Sequence, residues 1–303
     1  MQLRKRGLIR EAYEYFAVNI GPFIGWREPI LIYQMGKVGS SSIRNSLFRC
    51  GDPRTGLVLM SHEFLPIRNR DANCLDVEPA YRENVIREIE HERDIFRQYP
   101  LKERLRRRFR ERAYAERILR AYVQTDQPLR VITLVREPVA NNVSMFFQQR
   151  HRYIRPALAG VDYNPDSDIA VFLERYVHTR PLTWFDAEFR PMLGVDIFAT
   201  PFPRERGYAT IDQGRVRVLI LKAELEDEVK ASAISEFLGL NDLEIVRSNV
   251  TSDKSFGVQY KKFKRQLRLP VGLLSKLYDS RFATHFYTTT ERAQYRLRWG
   301  GKD

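Results

Sequence analysis

Cysteine is scarce in this chain: Cys50 and Cys74 are the only two in 303 residues. That excludes a disulfide-built scaffold and a cysteine metal cluster, and makes a reducing compartment the simpler expectation. Long apolar runs are missing as well. The N-terminus, MQLRKRGLIREAYEYFAVNIGPFIGW, starts basic, and its apolar stretch is broken by Asn19 and Pro22, so neither a secretory leader nor a spanning helix fits. Leu8, Ile9, Tyr13, Phe16 and Ala17 can share one face of a helical arm over residues 1–28. The expected place for that face is the body of the protein, with a membrane surface as the other choice and a cytoplasmic, at most membrane-peripheral, location overall. There is no internal repeat and no low-complexity linker. Acidic side chains are outnumbered, 38 against 51 Lys and Arg, for a net charge of +13. The partner is therefore expected to be acidic: a multiply phosphorylated cofactor, an anionic glycan, a membrane surface or a nucleic acid. A hydrophobic content of 43% leaves enough material for a substantial core.

What is present is most distinctive between Ile30 and Leu47, ILIYQMGKVGSSSIRNSL. Ile30 to Tyr33 is a continuous apolar run of the kind buried in a parallel sheet, and Ile43 and Leu47 fall at i and i+4 on one face of a following helix. Between them lie Gly36, Lys37, Val38, Gly39, Ser40, Ser41 and Ser42. Glycines permit tight turns, a helix N-terminus offers unpaired N–H groups, serines add hydroxyl donors and Lys37 adds a full positive charge. The combination suits an anionic ester. It is not the GxxxxGK[ST] loop of nucleoside triphosphatases, in which the lysine follows the last glycine; here Lys37 precedes Gly39. An ordinary strand-to-helix turn with a surface lysine is the competing reading.

A second strand-to-helix passage, VITLVREPVANNVSMFF, runs from Val131 to Phe147. Arg136 stands at the strand's end, Pro138 fits a first helical turn, and Ser144 follows Arg136 by about two helical turns. A guanidinium and a hydroxyl so placed can converge on one oxyanion. Arg136 could equally pair with Glu137 or a neighbouring helix.

With GKVGSSS at Gly36–Ser42 and REPVANNVS at Arg136–Ser144, the chain resembles the sulfotransferases that use 3′-phosphoadenylyl sulfate (PAPS). The likeness is greatest to the carbohydrate sulfotransferases and, within them, to a bacterial group described as putative capsular polysaccharide synthesis proteins. LTWFDAEFRPMLGVDIFATPF from Leu182, VLILKAELED from Val218 and the tail ending in HFYTTTERAQYRLRW extend the resemblance from about Ile30 to Trp299. It implies a P-loop-like three-layer α/β sandwich, a central parallel sheet flanked by helices, with helical insertions. It implies that Gly36 to Ser42 surround the 5′-phosphosulfate of PAPS, that Arg136 and Ser144 hold the 3′-phosphate, and that no metal takes part. Lys254, in NVTSDKSF, lies where sulfotransferases often carry another cofactor-binding segment, although the usual glycine-rich pattern is absent there.

The rest of the chain is organised around strands at Ile30 to Tyr33, Leu57 to Met60, Arg130 to Val135 and Val216 to Leu221, with a shorter candidate at Val195 to Phe198. Helical periodicity fills the intervals, and the alternation favours a parallel sheet flanked by helices within a single α/β domain over residues 1–303. A helical insertion is expected over 80–125 and a helical segment over 255–303. Between Lys102 and Arg120 nine basic residues face three acidic ones. Leu105, Phe109 and Ala113 give that helix a core-facing stripe, so a solvated basic face or a glycan-binding rim fits better than a nucleic-acid interface.

Sulfuryl transfer needs a base near the loop. The strand after the first motif delivers Ser61, His62 and Glu63 to the sheet edge that carries Lys37. Histidine suits general-base work near neutral pH; several carbohydrate sulfotransferases carry one after the corresponding strand, so the resemblance assigns His62, with Glu63 as the alternative. A histidine that merely bonds a nearby carbonyl is the competing reading. Trp184, Phe185, Asp186 and Tyr208 offer a sugar-stacking platform, or else core. Glu224 and Glu226 are expected as partners for arginines rather than a glycosidase pair. The leading expectation is a PAPS-dependent sulfotransferase acting on a carbohydrate, acidic glycans included. An inactive glycan- or nucleic-acid-binding protein on the same fold comes second and a nucleotide-dependent kinase third.

Overall fold

The computed structural model describes residues 29–55, 57–62, 64, 114–153, 164–246 and 257–300, with backbone alone at 151–153. The N-terminal arm, most of the 80–125 insertion, Glu63 and Lys254 lie outside the described residues. A five-stranded sheet organises them. Its strands are β1 (Ile30–Tyr33), β2 (Val58–Ser61), β3 (Leu129–Val135), β4 (Tyr208–Gln213) and β5 (Val216–Lys222), in the order β2-β1-β3-β5-β4. The first four in that order run parallel, and β4 is antiparallel to β5. All four side chains of β1 are 0% exposed, as expected of an unbroken apolar run covered on both faces.

α1 (Ser40–Cys50) follows β1 and packs against β2, while α6 (Asp227–Leu238) follows β5 and packs against it. Between β3 and β4 come α2 (Pro138–Tyr153), α3 (Pro165–Arg175), α4 (Arg180–Trp184), a π-turn at Phe185–Phe189 and α5 (Arg190–Leu193). The chain ends in α7 (Gly257–Gln266), α8 (Val271–Tyr278), α9 (Arg281–Phe286) and α10 (Thr289–Trp299). One apolar core surrounds the sheet. A second gathers Val143, Phe146 and Phe147 of α2, Phe172 of α3, Phe263 of α7 and Trp299 of α10. Among the described residues no helix is long and apolar enough to cross a membrane.

One expectation about strands needs correction, and one strand was not expected. Val195 to Phe198 is a turn, because the Asp196 carboxylate accepts from the Phe198 N–H at 2.9 Å and its carbonyl from Ala199 at 3.2 Å. The fifth strand is β4 instead, an edge strand in which Thr210, Asp212 and Gln213 are exposed while Tyr208, Ala209 and Ile211 are half-buried. It folds back on β5 through Gly214, whose φ of 59° suits glycine.

The sheet order places β1 between β2 and β3. The chain thus leaves β1 toward one side, reaches β2, and later enters β3 on the other. Such a reversal opens a crevice at the carboxyl ends of the two strands. The loops after β1 and β3 both open there, and they hold Lys37 and Arg136.

Candidate anion site at the ends of β1 and β3

Gly39 caps α1 in the left-handed region (φ 92°), with no side-chain cap and no acidic residue in the first turn. A helix N-terminus with no acidic residue of its own in the first turn is a usual setting for an anion. Ser41 and Ser42 are partly exposed there, whereas Ser40 is nearly buried. Val38, 1% exposed, contributes its side chain to the core. Lys37 has a left-handed backbone (φ 70°), the only described non-glycine residue with positive φ. For a side chain with a Cβ this costs about 1–2 kcal/mol.

The strained loop is held from α2 and from the end of β3. Asn141 Nδ2 donates to the Gly36 carbonyl at 2.9 Å. A Cβ on Gly36 would meet Met145 Cε at 2.6 Å, so the loop and the helix approach as glycine allows. Gln148 Oε1 accepts from Lys37 Nζ at 2.7 Å, and Arg136 Nη1 donates to the Lys37 carbonyl at 2.6 Å. Asn141, Met145 and Gln148 stand at i, i+4 and i+7 and form one stripe of the helix. Ser144 is 5% exposed and follows Asn141 by three residues on the same helix, so it stands next to that stripe. The structure thus joins the loop of Gly36, Lys37 and Gly39 with Arg136, and Ser144 lies on the helix that holds that loop.

Three further residues, absent from the sequence reading, complete the positive wall. Tyr260 of α7 lies close enough to the Arg136 guanidinium for that charge to oppose the rise in its pKa that burial causes. One turn on, the Lys264 ammonium lies 5.6 Å from the Tyr260 ring centre and 5.8 Å from that of Trp299. Partial burial, then Arg136 and Arg298, push its pKa below the ordinary lysine value. Three cations crowded in this way favour an anion among them. The i, i+4 pair Tyr260 and Lys264 in VQYKKFKRQ was a readable signal for one helix face, but nothing local tied that face to Arg136.

Behind Arg136 lies Glu137, 2% exposed. It accepts from the N–H groups of Val139 and Ala140 at 2.8 Å, from the Tyr278 hydroxyl of α8, and from the Trp299 indole of α10 at 3.3 Å. Burial raises its pKa, opposed by those donors and by Arg136. Glu224 accepts from the Glu137 N–H at 2.8 Å and from the Tyr287 hydroxyl at 3.3 Å, and its charge also acts on Arg136.

His62 is exposed, and its Nδ1 lies 3.1 Å from the Gln34 carbonyl at the start of the loop. A carbonyl only accepts, so Nδ1 is the donor in this contact and Nε2 is the ring nitrogen that it leaves unused. Trp184 Nε1 donates to the His62 carbonyl at 3.2 Å, fixing the backbone that carries the ring. The sugar-stacking alternative for the 184–186 segment is corrected: Trp184 and Phe185 are 4% and 1% exposed and pack with Tyr33 and Phe189 in the core. Asp186 faces Arg281 at 3.6 Å, and Tyr208 lies under the Arg206 guanidinium at 4.0 Å. Among the described residues no three His, Cys, Asp or Glu side chains are grouped to hold a metal ion.

The arrangement can hold two neighbouring anionic groups, one at the loop with Lys37 and one at Arg136 and Lys264, with a histidine at the rim. Comparison with known proteins adds one finding. No curated protein and no solved structure matches the chain. A family model described as "putative capsular polysaccharide synthesis protein" matches residues 169–288, under half of the chain; the matched stretch carries β4, β5, Glu224, Tyr260 and Lys264, while the loop of Lys37 and Arg136 lie before it.

Proposed function

We propose that the protein is a sulfotransferase that moves the sulfuryl group of PAPS to a hydroxyl of a carbohydrate, on a P-loop-like three-layer α/β sandwich. The observation that carries this reading is the 2.6 Å hydrogen bond from Arg136 to the Lys37 carbonyl, which joins two motifs distant in sequence into one cationic site suited to a doubly anionic ligand. The description of the matched family supports a polysaccharide, capsular or cell-surface, as the acceptor class.

The cations fit a donor that is phosphorylated at both ends of its ribose: Lys37 and the first-turn N–H groups of α1 for the 5′ side, Arg136, Ser144 and Lys264 for the 3′-phosphate. When bound, PAPS supplies the sulfuryl group and a bisphosphate that leaves. His62 Nε2 takes the proton of the acceptor hydroxyl as its oxygen attacks sulfur. Lys37 and the loop amides meet the charge that grows on the departing phosphate oxygen, and being fixed beforehand they need no reorganisation at that moment.

Thermal unfolding tests the reading. Adenosine 3′,5′-bisphosphate is expected to raise the melting temperature, and ATP with Mg²⁺ to leave it unchanged; equal shifts, or none, remove the reading. Lys37→Ala and Arg136→Ala each weaken bisphosphate binding. His62→Ala retains binding and loses turnover in a screen of acidic and neutral glycans with labelled donor. Turnover surviving in His62→Ala moves the base elsewhere, Glu63 being next.

A further inference from the structure

His62 carries an exposed side chain between Ser61 and Phe64, which are buried at 8% and 7% exposure. Packing therefore contributes little to the direction of its ring, and hydrogen bonds must supply it. The ring is held through Nδ1, 3.1 Å from the Gln34 carbonyl. Its backbone is held from another part of the chain. Trp184 Nε1 donates to the His62 carbonyl at 3.2 Å, and the Glu188 carboxyl, four residues on, accepts from the Phe64 N–H at 2.5 Å. The same Glu188 oxygen accepts from the Tyr33 hydroxyl of β1 at 2.7 Å. Residues 62 and 64 are thus fastened to one short segment, and that segment is fastened to β1.

The segment is the π-turn at Phe185–Phe189, entered from Trp184. Such turns fit an extra residue into a helix and recur at functional sites. Trp184 and Phe189, 4% and 0% exposed, both pack against the Tyr33 ring, with centres 5.2 and 5.5 Å away. The indole is therefore set firmly in the core. A buried indole N–H needs an acceptor, and any carbonyl would serve. The one it meets belongs to the residue whose ring stands exposed at the start of the loop.

We infer that Trp184 is a positioning residue for His62: from the core it fixes the His62 carbonyl, and with it the backbone from which the ring reaches the Gln34 carbonyl and turns Nε2 toward an acceptor hydroxyl. The inference rests on the reading of His62 as the base proposed above. In that reading Trp184 touches neither donor nor acceptor and acts on the rate only through His62.

The test replaces the indole by a ring without an N–H, Trp184→Phe, and sets it beside Phe237→Leu, a change of core packing on α6. In the screen of acidic and neutral glycans with labelled donor, turnover is expected to fall between about tenfold and a hundredfold in Trp184→Phe, the scale of a displaced catalytic group. Affinity for adenosine 3′,5′-bisphosphate is retained in that variant, and Phe237→Leu retains both. Unchanged turnover in Trp184→Phe, or an equal fall in Phe237→Leu, overturns the inference. A second readout needs no ligand. Nitrogen NMR of the neutral His62 ring, identified by its loss in His62→Ala, is expected to place the proton on Nδ1 in the natural protein and in Phe237→Leu. In Trp184→Phe it shifts toward Nε2, the form that a solvated imidazole prefers. The same tautomer in all three proteins overturns the inference. Should His62→Ala keep its turnover, the base reading fails, and the ring spectra alone still decide whether Trp184 positions His62.

Discussion

Lys37 combines an unfavourable backbone with the central charge of the site. Its φ of 70° is a geometry that glycine adopts freely. Lys37→Gly and Lys37→Ala remove the same ammonium, yet only alanine keeps the Cβ penalty. Lys37→Gly is expected to exceed Lys37→Ala in stability by about 1 kcal/mol in urea denaturation, while both lose bisphosphate affinity alike. Identical stabilities would mean that the left-handed turn is not kept in solution. His178 is a second informative residue, in the core between α2 and α3. Its Nε2 donates to the Phe172 carbonyl at 3.0 Å, Asn142 donates to its own carbonyl at 2.9 Å, and burial, the largest cause, lowers its pKa from 6.5 to about 4. A group whose folded pKa lies below its unfolded value stabilises fully above the unfolded value, and that contribution fades as pH falls toward the folded one. Between pH 6.5 and 4 the natural protein should lose about 3 kcal/mol more than His178→Gln, at about 1.4 kcal/mol per pH unit of displacement. Denaturation curves across that range provide the measurement, and parallel pH profiles would refute the assignment.

At the level of elements, Glu137 is the knot. It sits at the start of α2 and draws donors from α8 and α10, so helices remote in sequence are registered to the strand end that carries Arg136. Glutamine in its place must turn an NH2 toward donors that also need acceptors. Glu137→Gln is expected to cost about 2–4 kcal/mol and to weaken bisphosphate binding; urea denaturation and titration of one preparation check both. Elements also decide what could be read in advance. The strands β1, β3 and β5 were legible because burial on both faces requires unbroken apolar runs. The exposed edge strand β4 has no such requirement and was missed, and Val195 to Phe198 passed for a strand because buried apolar residues in a turn produce a similar pattern. Lys37 and Arg136 were legible from charge and glycine placement at strand ends. Gln148, Tyr260, Lys264 and Arg298 were not, since their value comes from contacts across elements that no local spacing encodes. His62 was legible as a position, but the carbonyl it meets, that of Gln34, was not.

For the whole molecule, the net charge of +13 creates a positive field, to which the cluster of Arg136, Lys264 and Arg298 adds at the site. Bisphosphate affinity should therefore fall with added salt, and less steeply in Lys264→Ala than in the natural protein; equal slopes in titrations at several salt concentrations would remove Lys264 from the site. The sheet order bears on synthesis of the chain. Ile30 of β1 pairs with Arg130 of β3, so on a ribosome adding about 5–20 residues per second the β3 side of β1 waits roughly 5–20 s for its neighbour. During that interval a strand whose four side chains end fully buried presents an open hydrogen-bonding edge to whatever it meets. The anion site, built across that same seam, cannot exist until the seam closes, so the capacity to bind a ligand reports the arrival of the middle of the chain.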